Sequence, residues 1–177
     1  MIEHIRIPPD RIGSLIGVDG SVKEFIEKNC EVDLVIDSEN GSVKLESKGD
    51  PSKGLRASDI IKAISHGFSP QNASKLLDDD ELLFTIIDIS HLGGSPKELT
   101  RIKGRIIGKD GSTRELMEEF TESNISVYGE TIAVIGHPEK VRTIEGAIDM
   151  LIDGAPHGNV YSYLEKKRRE EKSKSEF

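Results

Sequence analysis

Arg105-Ile106-Ile107-Gly108-Lys109-Asp110-Gly111-Ser112-Thr113-Arg114 carries an apolar pair into Gly-Lys-Asp-Gly and out again into an amphipathic run. The apolar residues before Gly108, and Leu116, Met117 and Phe120 after Gly111, fit two helices packed on one core, with four residues turning the chain between them. Glycine accepts backbone angles closed to other residues and has no side chain to hold a ligand away. The peptide N–H groups of such a turn can therefore approach an anion such as phosphate. Lys109 adds a positive charge at the same place.

Gly-Lys-Asp-Gly alone is an ordinary turn sequence. A second copy gives it weight. Leu15-Ile16-Gly17-Val18-Asp19-Gly20-Ser21-Val22-Lys23 stands 91 positions earlier, Gly17 against Gly108, and the same offset lays Phe25, Ile26 and Asn29 on Leu116, Met117 and Phe120. Further on the match drifts, with Asp50-Pro51 against His137-Pro138. An internal duplication is the simplest reading, and it divides the 177 residues into two small units.

Each unit reads as strand, helix, helix, strand, strand, helix. In the first, Glu3 to Ile7 alternates polar and apolar until Pro8-Pro9 stops it, and helices flank the Gly17–Gly20 turn, with Ser21 and Glu24 at capping-box spacing. Val32, Leu34 and Ile36, then Val43 and Leu45, form a hairpin. Asp50-Pro51 opens a closing helix through Ala57, Ile60, Ile61 and Ile64. The second unit repeats the order. Its first strand is Leu82 to Ile89, an inserted loop follows at His91 to Pro96, Ile125 to Tyr128 and Ile132 to Ile135 form the hairpin, and Val141 to Ile152 has helical period. The expected fold class is α+β, two βααββα units. Each is an antiparallel three-stranded sheet with three helices on one face, and a helical tail follows. The expected boundaries are 1–66, a linker at 67–80, 81–153, and a C-terminal segment at 154–177 whose basic end is partly disordered. Asp78-Asp79-Asp80-Glu81 in the linker lacks the spacing of a metal cage and reads as a solvated face.

The net charge of −8 is unlike a simple polyanion binder. Its distribution matters more. Lys97, Arg101, Lys103, Arg105 and Lys109 cluster against Glu98 alone, a basic strip ending at the second loop. Cys30 is the only cysteine and reads as a small core residue, so no disulfide framework is expected. With no signal sequence and no long apolar run, the expected location is cytoplasmic, without a membrane partner.

The duplicated loop, in its βααββα setting, resembles the Gly-x-x-Gly loop of type I K-homology (KH) domains. The resemblance covers essentially residues 1–153. It implies that loop backbone and neighbouring cations hold phosphates while about four unpaired bases of single-stranded RNA lie in an apolar groove. In the second unit it assigns Lys97, Arg101, Arg105, Ile107, Gly108, Lys109, Asp110, Gly111, Thr113 and Arg114 to RNA, with Ile125 to Val127 along the groove. In the first it assigns Arg11, Ile16, Gly17, Val18, Asp19, Gly20 and Lys23. Contact there is expected to be weaker, because valine replaces the loop lysine. The segment Gly154 to Glu165, with His157, Val160, Tyr161 and Leu164, resembles a stretch that follows the second KH domain in the partner-of-Nob family of small-subunit assembly factors. This implies binding near the 3′ end of small-subunit ribosomal RNA and a role in pre-rRNA processing. The protein partners implied are the Nob endonuclease and other assembly or translation factors.

Enzyme motifs fail on spacing. A Walker loop needs Gly-x-x-x-x-Gly-Lys-Ser/Thr, whereas Gly104 to Lys109 is one residue short and Asp110 replaces the hydroxyl. The five histidines, His4, His66, His91, His137 and His157, are scattered and suggest no metal ligand set. No catalytic residue, cofactor or metal is expected. Two other readings stay open: a protein-interaction adaptor with degenerate KH folds, and a general RNA binder unrelated to ribosome assembly.

Overall fold

The structure, a computed structural model, describes residues 1–175. It separates into two compact units, with the division after Asp80. The first contains β1 (Ile2–Arg6), α1 (Pro9–Ile16), α2 (Ser21–Cys30), β2 (Val32–Asp37), β3 (Ser42–Ser47), α3 (Pro51–Ser65) and the short α4 (Pro70–Ala73). The second contains β4 (Leu83–Asp88), α5 (Pro96–Ile107), α6 (Ser112–Thr121), β5 (Asn124–Tyr128), β6 (Thr131–Gly136), α7 (Pro138–Ile152) and α8 (His157–Ser175). Each sheet is antiparallel and three-stranded, with the last strand in the middle: β1-β3-β2 and β4-β6-β5.

Alternation sets which face is buried. Val32 and Leu34 point inward while Asp33 and Val35 are exposed, and Leu34 pairs with Leu45 across the hairpin. In the second unit Ile125, Ile132 and Val134 meet Ile102 and Ile106 of α5, Met117 of α6, and Ile144, Ile148 and Leu151 of α7. The drift between the two copies has a simple geometry. The offset is 91 residues through the helix pair. Four residues join β2 to β3 but two join β5 to β6, and the connection to the closing helix then shortens again, so that Pro51 matches Pro138.

The copies also share contacts that no periodicity shows. Glu27 accepts a hydrogen bond from the Leu34 amide at 3.1 Å, and Glu118 accepts one from the Ile125 amide at 2.9 Å. Lys23 and Arg114 pair with these carboxylates at 3.5 and 2.6 Å. Each buried-side strand thus has an amide satisfied by the preceding helix.

Three expectations change. Ser21 does not cap α2: Gly20 stands at the N-cap, no side chain caps the helix, and Ser21 is its first residue. Asp50, in contrast, accepts from the Ser52 amide as expected. Residues 67–80, read as a linker, pack into the first unit through Phe68, Ala73 and Leu76, all buried. The basic tail is helical through Ser175, anchored by Val160 and Leu164 in the second core and by a Lys140–Glu171 ion pair. The end of the segment expected to be disordered, residues 176–177, lies outside the described residues. Cys30 is buried as expected, and burial pushes its thiol up to about 11. Its native thiol should therefore be silent to a thiolate-directed reagent at pH 8 and react on unfolding; fast native labelling would contradict that packing.

Because Val160 and Leu164 are fully buried, a chain ending at Gly154 should lose roughly 3 to 6 kcal/mol of second-unit stability. Urea unfolding measures this, and an unchanged midpoint would show that α8 adds nothing to the core.

Candidate nucleic-acid interface

The two Gly-x-x-Gly turns have one backbone geometry. Gly17 and Gly108 both sit at φ 76°, ψ 174°, Asp19 and Asp110 at φ 55°, and Gly20 and Gly111 at φ 76° and 79°. Each turn therefore needs three left-handed residues in four. Asp110, read from sequence as a ligand-facing group, has a backbone reason as well: aspartate is among the few non-glycine residues that tolerate this region. A Cβ at Gly108 would stand 2.2 Å from Thr113 Oγ1 and 2.7 Å from Thr113 N. This close approach, more than openness to a ligand, fixes glycine at position 108.

At Gly111 no side chain caps α6. The Gly111 amide donates to Gly108 O at 3.2 Å and the Ser112 amide to Lys109 O, so the start of this ten-residue helix offers chiefly its positive dipole end, beside exposed Lys109. This is an anion-binding arrangement.

Several cations assigned to phosphate are engaged elsewhere. Arg105 turns inward: Nε donates to Leu151 O at 2.9 Å and Nη2 to Ala155 O, at the end of α7 and the connection after it. Arg11 does the same in the first unit, donating to Ile64 O at 2.9 Å and Phe68 O at 2.8 Å. Both therefore tie helix ends together. Arg101 is exposed but bidentate with Glu98, whose carboxyl it holds below the usual range. Arg114 and Lys23 pair with Glu118 and Glu27. Among the described residues Lys97, Lys103 and Lys109 form no ion pair within 4.0 Å, and they carry the positive field near the loop.

Two of the residues expected along the groove are buried. Thr113 is 1% exposed, lying beneath Gly108, and Ile125 belongs to the core. Ile107 and Val127 remain partly accessible. In the first unit Ile16 is half-buried and Val18 is 80% exposed, an apolar tip with Asp19 beside it. His157 and Tyr161, named from sequence as part of the family-like segment after the second unit, have partners beside the loop that the sequence does not show. His157 Nε2 lies 3.0 Å from Arg105 O, and Tyr161 Oη lies 3.3 Å from Thr113 Oγ1. The partners are 52 and 48 residues away, so no local pattern marks them.

A three-stranded antiparallel sheet with its last strand central, backed by helices joined through a Gly-x-x-Gly turn, makes the second unit a KH-type domain. A family model for the second such domain of PNO1, described as a eukaryotic type KH domain (type I), matches residues 83–169. A KH domain-containing protein of Methanocaldococcus jannaschii is 42% identical over 171 residues, covering 95% of this chain and 74% of the relative. RNA-binding protein pno1 of Dictyostelium discoideum is 30% identical, covering 92% and 70%. The crystal structure of Dim2p from Pyrococcus horikoshii superimposes with a TM-score of 0.88 at 41% identity, over 94% of this chain and 99% of that one. A complex of the same organism's a/eIF2alpha, aDim2p and rRNA contains a chain that matches at 0.90 and 40%, over 96% and 95%. The chain belongs to the PNO1/Dim2 family of KH-domain proteins.

The loop geometry separates two glycines in adjacent turns. Gly108→Ala should destabilise the second unit by more than ~1 kcal/mol, since it combines a positive φ with a clash. Gly104→Ala, within α5 and with nothing inside 4 Å of the new methyl, should stabilise it by about 0.4 to 1 kcal/mol. Urea midpoints decide, and equal shifts would contradict the geometry.

Proposed function

We propose that this protein is a single-stranded RNA-binding factor of small-ribosomal-subunit assembly, built from two tandem type I KH domains of which the second makes the dominant RNA contact. The observation that carries this is Lys109, exposed at the tip of the Gly108–Gly111 turn beside the positive dipole end of α6, where the first unit has Val18. Phosphates of an unpaired strand would meet loop amides, the helix dipole and the Lys97, Lys103 and Lys109 ammonium groups. Bases would turn toward Ile107 and Val127. The overall negative charge does not oppose this, because exposed charges more than a Debye length away are largely screened. Single-stranded RNA is favoured over duplex because the groove offers apolar contact to base faces. The rRNA in the Pyrococcus horikoshii aDim2p complex supports the same ligand class, and relatives named pre-rRNA-processing protein PNO1, such as that of Saccharomyces cerevisiae at 29% identity, support the pathway.

In this reading the target is the 3′-terminal region of small-subunit rRNA, and the chain holds that strand for a nuclease of the Nob type without cutting it. No catalytic step is assigned to it, and its place of action is the cytoplasm. The first unit repeats the loop geometry, but Arg11 is engaged internally, Lys23 pairs with Glu27, and the loop carries Val18 with Asp19. Its RNA contact is therefore weak, and the exposed apolar tip suits a protein-facing role, such as docking an assembly or translation factor.

Affinity measured against salt tests the ranking. Lys109→Asp should weaken binding of a 3′-terminal small-subunit rRNA strand by about tenfold, the worth of one charge-assisted hydrogen bond. It should also lower the slope of log K against log salt by about 0.7 for each phosphate that is no longer neutralised. Val18→Asp should do markedly less. Equal losses would overturn the dominance of the second unit, and equal competition by a scrambled strand would leave a general RNA binder.

A further inference from the structure

We infer that His157 and Tyr161, at the start of α8, are positioning residues that hold the Gly108–Gly111 loop in its binding shape. The inference rests on the RNA-binding reading of that loop. Tyr161 reaches the residue on one side of the turn: its hydroxyl lies 3.3 Å from Thr113 Oγ1, and either group can donate. Thr113 in turn lies where the missing Cβ of Gly108 would be. Its side chain thus sets how closely α6 approaches the first glycine. His157 reaches the other side. Its Nε2 is 3.0 Å from the carbonyl oxygen of Arg105, and because a carbonyl only accepts, that ring nitrogen carries the proton. Arg105 lies in the last turn of α5, where carbonyls run out of intrahelical partners. The Arg105 guanidinium returns the tie, donating to Leu151 O and Ala155 O. Both flanks of the loop are therefore fastened to the α7–α8 corner.

The first unit supplies an internal control. It has the same loop dihedrals and the same arginine tie, with Arg11 on Ile64 O and Phe68 O. Along the closing helix the two copies are 87 positions apart, Pro51 against Pro138, Ile64 against Leu151 and Phe68 against Ala155. This register puts Pro70 opposite His157 and Ser74 opposite Tyr161. Val22, without a hydroxyl, takes the place of Thr113 beneath Gly17. Proline has no side-chain donor, and the space a tyrosine would fill is an open cleft of about 210 Å³ lined by Val22, Phe25, Pro70 and Ser74. Among the described residues the brace thus exists only in the unit whose loop carries lysine. The turn adopts its shape without the brace, so the brace acts on how firmly that shape is held, and hence on the ordering cost of binding.

The test compares Tyr161→Phe, Thr113→Val and the double variant in the full chain, with His157→Ala and His157→Gln. The probe is a short single-stranded RNA of 3′-terminal small-subunit sequence, and amide exchange at residues 109–112 is followed in parallel. Thr113→Val installs the residue the first unit already uses, so the fold should survive. Tyr161→Phe and Thr113→Val should each weaken binding by about three- to tenfold, and the double variant should be no worse than either single. The salt slope should stay at the wild-type value, because every phosphate keeps its cation. Glutamine should restore what alanine loses at position 157, since its amide can donate to the Arg105 carbonyl. Loop amides should exchange faster in every weakened variant. Wild-type affinity and exchange in Tyr161→Phe, or losses that add in the double variant, would overturn the brace. If the unaltered protein binds no RNA, the functional reading fails instead, and amide exchange alone decides whether the brace orders the loop.

Discussion

The contact on which the second unit depends is that of Thr113 against the bare Cα of Gly108. Two helices that share one core must be joined by a turn of four residues, and Ile106 and Met117, both fully buried, hold them together. The chain meets this constraint with left-handed backbone at positions 108, 110 and 111. No side chain caps the helix start at Gly111, and its positive dipole end stands beside Lys109. The shape of the loop is thus a consequence of packing two helices tightly, and Lys109 adds an exposed charge at its tip.

Charge on this surface is decided by reach. Arg11 and Arg105 have long side chains on helices whose inner side abuts the C-terminal turn of the closing helix, and exposed carbonyls there draw the guanidinium in. A planar fork suits two carbonyls at once, which explains arginine at these two places. They occupy slightly different positions in the repeat, one turn apart, yet reach matching carbonyls. Arg114 and Lys23 steady the glutamates that satisfy strand amides. Of the cations near the loop, Lys97, Lys103 and Lys109 are left without an ion-pair partner among the described residues, while exposed Arg101 is held by Glu98.

The two units differ chiefly in what covers the second and third helices of each. In the first, α4 and the turn after it bury Ala73 and Leu76 and then end; in the second, the longer α8 continues along the same surface. The longer cover supplies Val160 and Leu164 to the core and places His157 and Tyr161 beside the loop. One fold pattern therefore serves a braced loop and an unbraced one within a single chain.

The sequence by itself determined the elements, their order and the two turns, because these follow from local periodicity, from glycine spacing and from a repeat that can be matched residue to residue. Strands at Val32 to Asp37 and Ser42 to Ser47, and a closing helix begun by Asp50-Pro51, stand where alternation and capping put them. Only the tertiary structure decided which cations face outward, that Thr113 lies beneath the loop and not in the groove, that residues 67–80 complete the first core, and that His157 has a partner. Each of these depends on side chains or segments that meet from far apart in the chain, or on a surface formed by several elements. Such contacts have no period, and they exist only once the helices are packed.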